Sequence, residues 1–326
     1  MSVFNSFNIL ISSSGKQSLL VEAFKNALHD KGLVFAIDYN KYAPALAVAD
    51  QSFIAPAFTS ENYIEWMLDI CKKNKIKLVL SLNVDELIIL EQHRNEFERI
   101  NCTLIGGPLD TIYMSVDKLK LNHFLYSNGF PSLKLLSLDE VKQNRIREFP
   151  VICKPRFGKA SIGVKFINYK SELEDLIAQL DKKKSKSECI FQEISQGTEY
   201  GFDIVNDLNG NFAAALVRRK YAMKNGETDV AETIEPSQFI DFARKLSTHI
   251  KHQGSIDIDC FLYNNKIYVI DMNYRFGGGY VYCHYAGANT PQAIVNWAIG
   301  KTINENDLKY KSGLLFSRTS KLIQLK

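Results

Sequence analysis

Short apolar runs alternate with helical patterns along the first third of the chain. Four apolar runs predict buried strands, at residues 8–12, 34–38, 78–81 and 103–106. Between them, apolar residues recur at the three- and four-residue spacing of amphipathic helices, at residues 18–29, 63–73 and 85–97. Strands that alternate with helices are typical of a parallel sheet. We therefore predict a Rossmann-like α/β fold for residues 1 to about 110.

The pattern changes in the rest of the chain. A helix is predicted over 115–127, with Ser115 as its N-cap and Gly129 just beyond its end. Strand patterns then dominate, at residues 151–154, 164–167, 189–194, 200–205, 212–217, 255–263 and 266–273. Further helical patterns lie at residues 138–148, 172–180 and 236–251. This order predicts an α+β architecture built mainly from hairpins.

Composition and charge exclude several classes of protein. Hydrophobic residues make up 46% of the 326 residues and charged residues 23%, which is ordinary for a globular protein. The net charge of +4 is too small to indicate nucleic acid or an anionic membrane as a partner. No apolar run is long enough to predict a membrane span or a signal segment. A cytoplasmic protein is therefore expected.

The cysteines indicate neither a metal site nor a redox motif. Six are present, and no two of them form a C-x-x-C pair; they are Cys71, Cys102, Cys153, Cys189, Cys260 and Cys283. We therefore expect reduced thiols.

The loop after the first strand resembles a phosphate-binding loop only in part. It contains Gly15 and Lys16, but the P-loop pattern requires glycine at the place of Leu10 and Ser or Thr at the place of Gln17. Neither a Walker-type site nor a dinucleotide site is predicted. Two interpretations stay open: a helix N-terminus whose free N–H groups face an anion, and an ordinary connecting turn.

The most informative segment is a predicted hairpin at residues 254–275. Even-numbered residues are apolar on both of its strands and are expected to share one core; they are Ile256, Ile258, Cys260, Leu262, Tyr268, Ile270 and Met272. Residues that face each other across an antiparallel pair lie on the same face of the sheet. Because the two even-numbered faces must coincide, the turn is expected to contain three residues, 264–266.

This register would bring two acids together. Pairing Tyr263 with Ile267 places Asp259 directly opposite Asp271. Two facing carboxylates repel each other unless a positive charge lies between them. A divalent cation would supply that charge.

Neighbouring residues support a magnesium site. Asp271, Asn273 and Arg275 follow one another at every second position, and Asp257 would lie opposite Asn273. Mg²⁺ takes oxygen ligands and usually shares them with substrate phosphates. The alternative is the solvent-facing polar side of an edge hairpin.

Two further segments carry residue types suited to a nucleotide. Residues 151–164 contain a strand that ends in Lys154 and a loop of small residues, whose N–H groups could surround phosphate oxygens. Residues 191–200 contain a strand whose exposed backbone could bond an adenine edge, followed by Glu199 for the ribose hydroxyls. Taken alone, each has an ordinary alternative: a surface hairpin for the first and a solvated glutamate for the second.

Together and in this order, these segments resemble the ATP-grasp superfamily, in particular its carbamoyl-phosphate synthase large-subunit and biotin carboxylase branch. The resemblance extends over nearly the whole chain and rests on the Rossmann-like start, Asp117-Lys118, Lys154-Pro155 with its loop, Gln192-Glu193-Ile194, Gly197-Thr198-Glu199-Tyr200, and Asp259 with Asp271-Met272-Asn273-Tyr274-Arg275. It implies a Rossmann-like pre-ATP-grasp domain at 1–112 and a two-lobed ATP-grasp domain at 113–326, with lobes at 113–188 and 189–326.

The resemblance also implies an ATP site. Residues expected to bind ATP are Lys118, Lys154, Gly158, Ser161, Gly163, Gln192, Glu193, Ile194, Ser195 and Glu199. The two lysines and the loop 157–163 would contact the phosphates, residues 192–195 the adenine, and Glu199 the ribose.

The metal and the catalytic residue follow from the same resemblance. Asp259, Asp271 and Asn273 would hold one or two Mg²⁺ ions, with Mn²⁺ as a substitute. Arg275 would be catalytic, stabilising charge on the transferred phosphoryl group or on the acyl phosphate. Phosphoryl transfer is catalysed mainly by such positioning and charge stabilisation.

Substrate residues are expected mainly in the glycine- and aromatic-rich segment after Arg275. The candidates are Arg219, Gly278, Tyr280 and His284. The glycine would permit close approach to an anion, the tyrosine would form a wall, and the histidine would act as a base or be structural. The arginine would bind a carboxylate or belong to a solvated strand end.

The family chemistry is phosphorylation of a carboxylate by ATP followed by attack of an amine. We therefore expect an ATP-dependent carboxylate–amine ligase that acts on small molecules through an acyl phosphate and releases ADP and phosphate. The alternatives are a kinase or phosphotransferase on the same fold and a non-catalytic nucleotide-binding module. Neither nucleic acid nor a membrane is expected as a partner, and a homodimer is left open.

The chain also departs from the family pattern. Lys159 and Ala160 replace frequent glycines of the phosphate loop, and Asp259 and Asp271 stand where Glu is common, which shortens their reach to a metal. The chain ends about 50 residues after Arg275. Neither biotin carboxylase activity nor full carbamoyl-phosphate synthase activity is therefore expected.

Overall fold

Three β-sheets organise the chain. The residues that the computed structural model describes are 6–143, 146, 148–158, 162–182, 189–193 and 197–325. In this part of the chain, no helix combines the length and the apolar character needed to cross a membrane. The cysteines form no disulfide, as predicted.

The first sheet is parallel throughout, with the strand order β3-β2-β1-β4-β5. Its strands are β1 (Asn8–Ser12), β2 (Val34–Asp38), β3 (Gln51–Ile54), β4 (Ile76–Ser81) and β5 (Thr103–Ile105). All residues of β1 are buried, and its successive side chains enter two different apolar clusters because both faces of the sheet are covered. The predicted Rossmann-like sheet is confirmed.

Helices accompany this sheet, and those at residues 44–48 and 109–116 were not predicted. They are α1 (Ser18–Leu28), α2 (Pro44–Val48), α3 (Tyr63–Lys73), α4 (Val84–Gln92), α5 (Arg94–Arg99) and α6 (Leu109–Val116), with a 3₁₀ turn at His29–Lys31. The single helix predicted at 85–97 is wrong. His93, at φ −112°, lies outside the helical region and separates α4 from α5.

The strand order of this sheet reverses between β1 and β4, which opens a crevice at their carboxyl ends. The buried carboxylate of Glu86 ties these ends together by accepting hydrogen bonds from Ser12 in β1 and Ser81 in β4. Gln17 and Leu82, which follow the two strands, consequently lie at the crevice.

A four-stranded antiparallel sheet follows, in the order β6-β9-β7-β8. Its strands are β6 (Leu135–Ser137), β7 (Val151–Pro155), β8 (Lys165–Ile167) and β9 (Cys189–Glu193). The accompanying helices are α7 (Lys118–Ser127), α8 (Leu138–Lys142) and α9 (Lys170–Lys182). Phe191, Val151 and Leu176 belong to an apolar cluster separate from those of the other sheets.

The helix predicted from an N-cap at Ser115 is wrong at its start. Ser115 lies inside α6, and the N-cap of α7 is Asp117, whose side chain accepts hydrogen bonds from the N–H groups of Leu119 and Lys120. The predicted domain boundary between residues 112 and 113 lies within α6. The division into 1–112 and 113–326 stays a prediction.

A six-stranded antiparallel sheet completes the fold, in the order β14-β13-β10-β11-β12-β15. Its strands are β10 (Thr198–Asn206), β11 (Phe212–Lys224), β12 (Glu227–Ile234), β13 (Gly254–Tyr263), β14 (Lys266–Asn273) and β15 (Leu315–Ser317). Helix α10 (Ser237–Ile250) packs on one face, where the rings of Phe202 and Phe239 lie 5.5 Å apart. The predicted α+β character is confirmed.

Two helices between β14 and β15 were not predicted: α11 (Tyr280–Tyr285) and α12 (Thr290–Ala298). A 3₁₀ turn at Glu305–Leu308 follows them. Ile294 and Val295 of α12 pack in the same cluster as Phe24 of α1. Helix α12 is therefore in contact with α1 beside the first sheet.

The turn between β13 and β14 differs from the prediction. Tyr263 pairs with Lys266, so the turn contains two residues, not three. Asn264 and Asn265 both have positive φ, at 48° and 61°. Two such residues are typical of a type I′ turn, which matches the twist of a hairpin.

A β-bulge at Ile270 then restores the predicted pairing of the acids. The register shifts by one residue there, so Asp259 lies opposite Asp271 as predicted. The buried apolar residues of β14 are Ile267, Val269 and Met272. The predicted even-numbered core face of β14 is therefore wrong for Tyr268 and Ile270, because the bulge exchanges the two faces of the strand.

His252 makes the stability of the fold pH-dependent. The ring is fully buried, and it donates to the carbonyl of Ile204 at 3.0 Å. Burial lowers its pKa to about 4 from the ordinary 6.5, although the bond to Ile204 opposes the shift. Between these values only the unfolded chain binds the proton, so stability falls as the pH falls. We expect a loss on the order of 3 kcal/mol from pH 6.5 to 4. Urea denaturation across this range would measure it, and His252→Gln should show a smaller loss.

Candidate functional site

One face of the six-stranded sheet gathers charged and polar side chains from four adjacent strands. Alternation along the strands sends them to the side opposite α10. They are Glu199 and Asp203 on β10, Arg218 and Lys220 on β11, Asp257 and Asp259 on β13, and Asp271 and Asn273 on β14. We call this set the charged face. Gly201 lies between Arg218 and Asp259 on the neighbouring strands.

Asp259 and Asp271 face each other within this set. Burial raises the pKa of the Asp259 carboxyl to about 6, although Lys220 opposes the shift. Burial also raises the pKa of Asp271, against the effect of nearby lysines. A cation would relieve the repulsion between two such carboxylates.

Lys220 already neutralises part of this charge. Its Nζ lies 2.6 Å from Asp259 Oδ1 and 2.9 Å from Glu199 Oε1, and its side chain is 4% exposed. Burial alone would lower the pKa of Lys220, but the two carboxylates raise it above its ordinary value. The ammonium group therefore stays charged and links the predicted ribose-binding residue to the predicted metal ligand.

Two predicted phosphate-binding lysines approach the charged face from the four-stranded sheet and α7. Lys154 Nζ donates to Gln192 Oε1 at 2.6 Å, and both residues are buried. Lys118 Nζ donates to the carbonyl of Gly158 at 2.8 Å and lies 3.9 Å from Asp271 Oδ1. The structure therefore brings these lysines opposite the acids.

A bidentate ion pair that was not predicted fixes the position of Lys118 relative to β7. Arg156 donates from Nε and Nη2 to the two carboxylate oxygens of Asp117, at 2.7 and 2.6 Å. Such bidentate pairs are strongly directional. The pair ties the start of α7, where Lys118 lies, to the end of β7. Nothing in the sequence indicated that partners so far apart would meet.

If Lys154 contacts ATP phosphates as predicted, its charge makes ATP binding pH-dependent. Burial, followed by repulsion from Lys118, lowers the pKa of Lys154 to about 8, against the opposing effect of Asp271. The amine is charged below that pH and loses its charge above it. We therefore expect kcat/KM for ATP to fall as the pH rises through about 8. A profile of kcat/KM against pH would measure this fall. The Lys154→Arg variant stays charged, so its kcat/KM should not fall in this pH range.

Two cavities meet at the β13–β14 hairpin. The first has a volume of about 230 Å³, and the predicted ATP-binding residues that line it are Lys118, Lys154, Gly158, Gln192 and Glu199. The second has a volume of about 310 Å³ and is lined in part by Gln17, Leu82, Asn273, Arg275 and Gly278. Both cavities share Lys220, Met223, Gly226, Asp259 and Asp271. The two facing acids therefore lie at the junction of the cavities.

The second cavity reaches the crevice of the first sheet. Gln17 is the N-cap of α1, and no side chain caps this helix end. The loop that contains Gly15 and Lys16 therefore leads to the cavity wall. Its role as an anion site or as a plain turn stays open.

Arg218 occupies a buried position in the wall of the second cavity. It is 1% exposed and donates at 2.5 Å to both Asp203 and Asp257. Burial alone would lower the pKa of Arg218, but these two carboxylates raise it well above the ordinary value. The guanidinium group therefore offsets part of the negative charge of two buried acids.

Glycines make room for this arginine. A Cβ atom on Gly279 would lie 2.1 Å from Arg218 Nε, and one on Gly277 would lie 2.3 Å from Asp257 Cγ. Two of the three glycines in the segment after Phe276 thus accommodate the buried ion pair. Gly278, in contrast, has no neighbour closer than 3.7 Å to a Cβ position.

Arg318 joins two walls of the second cavity and was not predicted. Its Nη2 donates to the carbonyl of Gly278 at 2.6 Å, and its Nη1 pairs with Glu227. It lies directly after β15, a strand too short to give a sequence signal.

Three predicted substrate residues line neither cavity. Arg219 projects to the opposite face from Arg218, and its guanidinium stacks on Tyr221 at 4.8 Å. Tyr280 is 2% exposed, and its hydroxyl lies 3.1 Å from His284 Nδ1. Strand alternation and burial direct these side chains away from both cavities, and their predicted contact with a substrate stays a prediction. Of the two roles considered for His284, a base or a structural residue, the structural role fits its position.

Several predicted ATP residues cannot be placed. Ser161, Ile194 and Ser195 lie outside the described residues, and of Glu193 only the backbone is described, pairing with Val151. Gly163 has φ 80° and does not line the first cavity. This positive φ favours glycine at position 163.

The donor set suits Mg²⁺ shared with a nucleotide. No group of three or more His, Cys, Asp and Glu side chains able to hold a metal is found within the described ranges. Asp259, Asp271 and Asn273 offer two carboxylates and one amide oxygen on one face. Mg²⁺ is usually held by one or two carboxylates together with substrate phosphates and water. The residues present therefore fit the ion.

Two family models match the chain. One describes a PylC-like N-terminal domain and matches residues 9–105. The other describes an ATP-grasp in the biosynthetic pathway with Ter operon and matches residues 185–320.

Curated relatives include large chains of carbamoyl phosphate synthase. The protein from Clostridium beijerinckii is 23% identical over 196 residues, covering 56% of this chain and 18% of the relative. That from Thermoplasma acidophilum is 21% identical over 252 residues, covering 70% and 23%. The chain thus spans about a fifth of the length of these relatives.

Solved structures share the fold over nearly the whole chain. N5-carboxyaminoimidazole synthetase from Staphylococcus aureus has a TM-score of 0.69 at 16% identity, covering 92% of this chain and 79% of that one. The biotin carboxylase domain of Hydrogenobacter thermophilus 2-oxoglutarate carboxylase, crystallised as a dimer with MgADP and bicarbonate, has a TM-score of 0.71 at 16% identity and covers 93% and 72%. An L-amino acid ligase from Bacillus licheniformis has a TM-score of 0.69 at 17% identity and covers 94% and 78%.

Proposed function

We propose that this chain, which belongs to the carbamoyl-phosphate synthase-like and biotin carboxylase-like branch of the ATP-grasp superfamily, is an ATP-dependent ligase that joins a small-molecule carboxylate to an amine through an acyl phosphate. The observation that carries the proposal is the junction of two cavities at Asp259 and Asp271. The lining residues of the first cavity suit a nucleotide, and the second cavity would hold the acceptor. The transferred phosphoryl group would pass between them at the acids.

Residues of the first cavity would hold ATP. Lys118 and Lys154 would contact its phosphates, since both ammonium groups face the charged face from across the cavity. Gln192 and Glu193 would bind the adenine and Glu199 the ribose. The solved relatives in complex with ADP or MgADP support nucleotide binding by this fold.

A magnesium ion would be held by Asp259, Asp271 and Asn273. When bound, it would neutralise charge on the phosphates and orient them. Lys220 would exchange part of its contact with Asp259 for a phosphate oxygen, since its Nζ borders both cavities. Arg275 would stabilise negative charge on the phosphoryl group from the acceptor side.

Two chemical steps would follow in the second cavity. A carboxylate oxygen of the acceptor would attack the γ-phosphorus, and ADP would leave with the electrons of the broken P–O bond. The amine nitrogen would then attack the carbonyl carbon of the acyl phosphate, phosphate would leave, and the nitrogen would lose a proton. A cavity of about 310 Å³ suits an amino acid or a similarly small acid.

The test is ADP formation with pooled carboxylic acids and amines, including amino acids. The ligase should form ADP only when both an acid and an amine are present. ADP formation with a single acceptor and a stable phosphorylated product would indicate a kinase instead. ATP binding without turnover under any condition would indicate a nucleotide-binding module.

Location and assembly belong to the same proposal. We expect a cytoplasmic enzyme and a homodimer, the latter because the Hydrogenobacter thermophilus biotin carboxylase domain was crystallised as a dimer. Light scattering would measure the mass in solution.

A further inference from the structure

Asp257 lies between two arginines that have different surroundings. Its Oδ1 accepts a hydrogen bond from Arg218 Nη2 at 2.5 Å, and its Oδ2 lies 3.8 Å from Arg275 Nη1. Arg218 is enclosed, whereas the side chain of Arg275 is 26% exposed and lines the second cavity. Within the described residues, no other carboxylate lies within 4.0 Å of Arg275.

The position of Asp257 is fixed from several sides. Arg218 is itself held by Asp203 on the neighbouring strand, directly across from Asp257. Gly277 covers the carboxylate so closely that a Cβ atom would overlap it. Asp257 is 7% exposed. Its carboxylate consequently has little freedom to move.

Arg275 has no comparable support of its own. Apart from the contact with Asp257, its guanidinium donates to the carbonyl of Phe276 at 2.9 Å. A long, partly exposed side chain samples several rotamers and loses entropy when it is held in one. A fixed negative charge beside it favours the rotamer that reaches into the second cavity.

We propose that Asp257 is a positioning residue for Arg275. Arg218 and Gly277 hold the Asp257 carboxylate in place, and that carboxylate holds Arg275 at the place where the phosphoryl group arrives. This inference rests on the proposed function for its turnover assay. It goes beyond that function because it assigns Asp257, which lines the second cavity, to holding Arg275 in place.

Asp257→Asn and Asp203→Asn form a matched pair for the test. Both remove one hydrogen-bonded carboxyl partner of Arg218 at the same 2.5 Å distance, but only Asp257 also faces Arg275. Asp203 lines neither cavity. Asp257→Asn should lower kcat about 10- to 100-fold, as for removal of a supporting partner of an active-site group, with KM for ATP unchanged. Both variants should lower the melting temperature to a similar extent, but Asp203→Asn should leave kcat unchanged.

A second readout does not depend on ligase activity. Calorimetric titration of inorganic phosphate into the protein loaded with MgADP should show weaker phosphate binding for Asp257→Asn and unchanged binding for Asp203→Asn. If the wild type turns over no acid and amine yet this difference is found, the ligase proposal fails and the positioning role stands. Equal effects of the two variants, or no phosphate binding by the wild type, would overturn the positioning role.

A double variant tests whether Asp257→Asn acts through Arg275 or by disturbing the fold. If Asp257 acts through Arg275, adding Asp257→Asn to Arg275→Ala should cause no further loss of phosphate affinity. Additive losses would overturn the proposal. If Asp257→Asn fails to fold, Gly277→Ala displaces the same carboxylate without changing its charge, and it should weaken phosphate binding in the same way. Retained binding in a folded Gly277→Ala protein would count against the proposal.

Discussion

Replacing Asp271 with alanine is expected to abolish ATP turnover while leaving the fold intact. The residue combines two roles at the junction of the cavities: it faces Asp259 across the hairpin and lies 3.9 Å from Lys118. Loss of a group that merely supports a metal ligand costs about 10- to 100-fold in activity. Loss of a ligand itself should exceed that range. ADP release with the acid and amine identified by the screen would measure the effect.

A matched control separates this effect from general damage. Asp241 is exposed on α10, on the other side of the six-stranded sheet. Asp241→Ala should turn over ATP like the wild type, and circular dichroism should be the same for both variants. An Asp271→Ala protein that retains turnover would remove Asp271 from the metal site.

Replacing Arg218 with alanine is expected to cause the largest loss of stability. The guanidinium compensates Asp203 and Asp257, which are both buried. Removing one partner of a buried ion pair leaves an uncompensated charge and typically costs 3–5 kcal/mol. Here two carboxylates would lose their partner, and a cavity would remain. Urea denaturation would measure the free energy of unfolding.

Arg219 provides the comparison within the same strand. Its side chain lies on the opposite face and contacts the ring of Tyr221. Arg219→Ala should lower the free energy of unfolding by less than about 1 kcal/mol, the range of a cation–π contact at an accessible site. Equal losses for the two variants would contradict the central role of the buried Asp203–Arg218–Asp257 array.

Periodicity predicted much of the fold because burial imposes it. The buried run of β1 and the apolar stripe of α1 were both visible in the sequence, since each must face a covered side of the sheet. Breaks inside helices were less visible. His93 interrupts a pattern that remains apolar on both sides, so α4 and α5 were predicted as one helix. The helix predicted from Ser115 began inside α6, two residues before the N-cap Asp117.

The acids of the site were predicted for a partly incorrect reason. Asp259 does face Asp271, but the agreement depends on a bulge at Ile270 that compensates for a shorter turn. The alternation of odd and even positions can show that two strands share an apolar face. It cannot show where a bulge inserts one extra residue. The two asparagines of the turn, which tolerate positive φ, were the signal for the shorter loop.

Other site residues depend on contacts that sequence spacing does not contain. Arg218 and Arg219 are adjacent in the chain, yet only alternation relative to the neighbouring strands determines which one faces the acids. The glycines near them were interpreted as space for a ligand. In the structure, Gly277 and Gly279 make space for Asp257 and Arg218.

A crystal structure of the protein with MgADP would test the central claim most directly. We expect the phosphates between Lys154 and the charged face, with Mg²⁺ bound by Asp259 and Asp271 at about 2.0–2.1 Å. A nucleotide bound away from the first cavity, or a magnesium ion held without either carboxylate, would contradict the account.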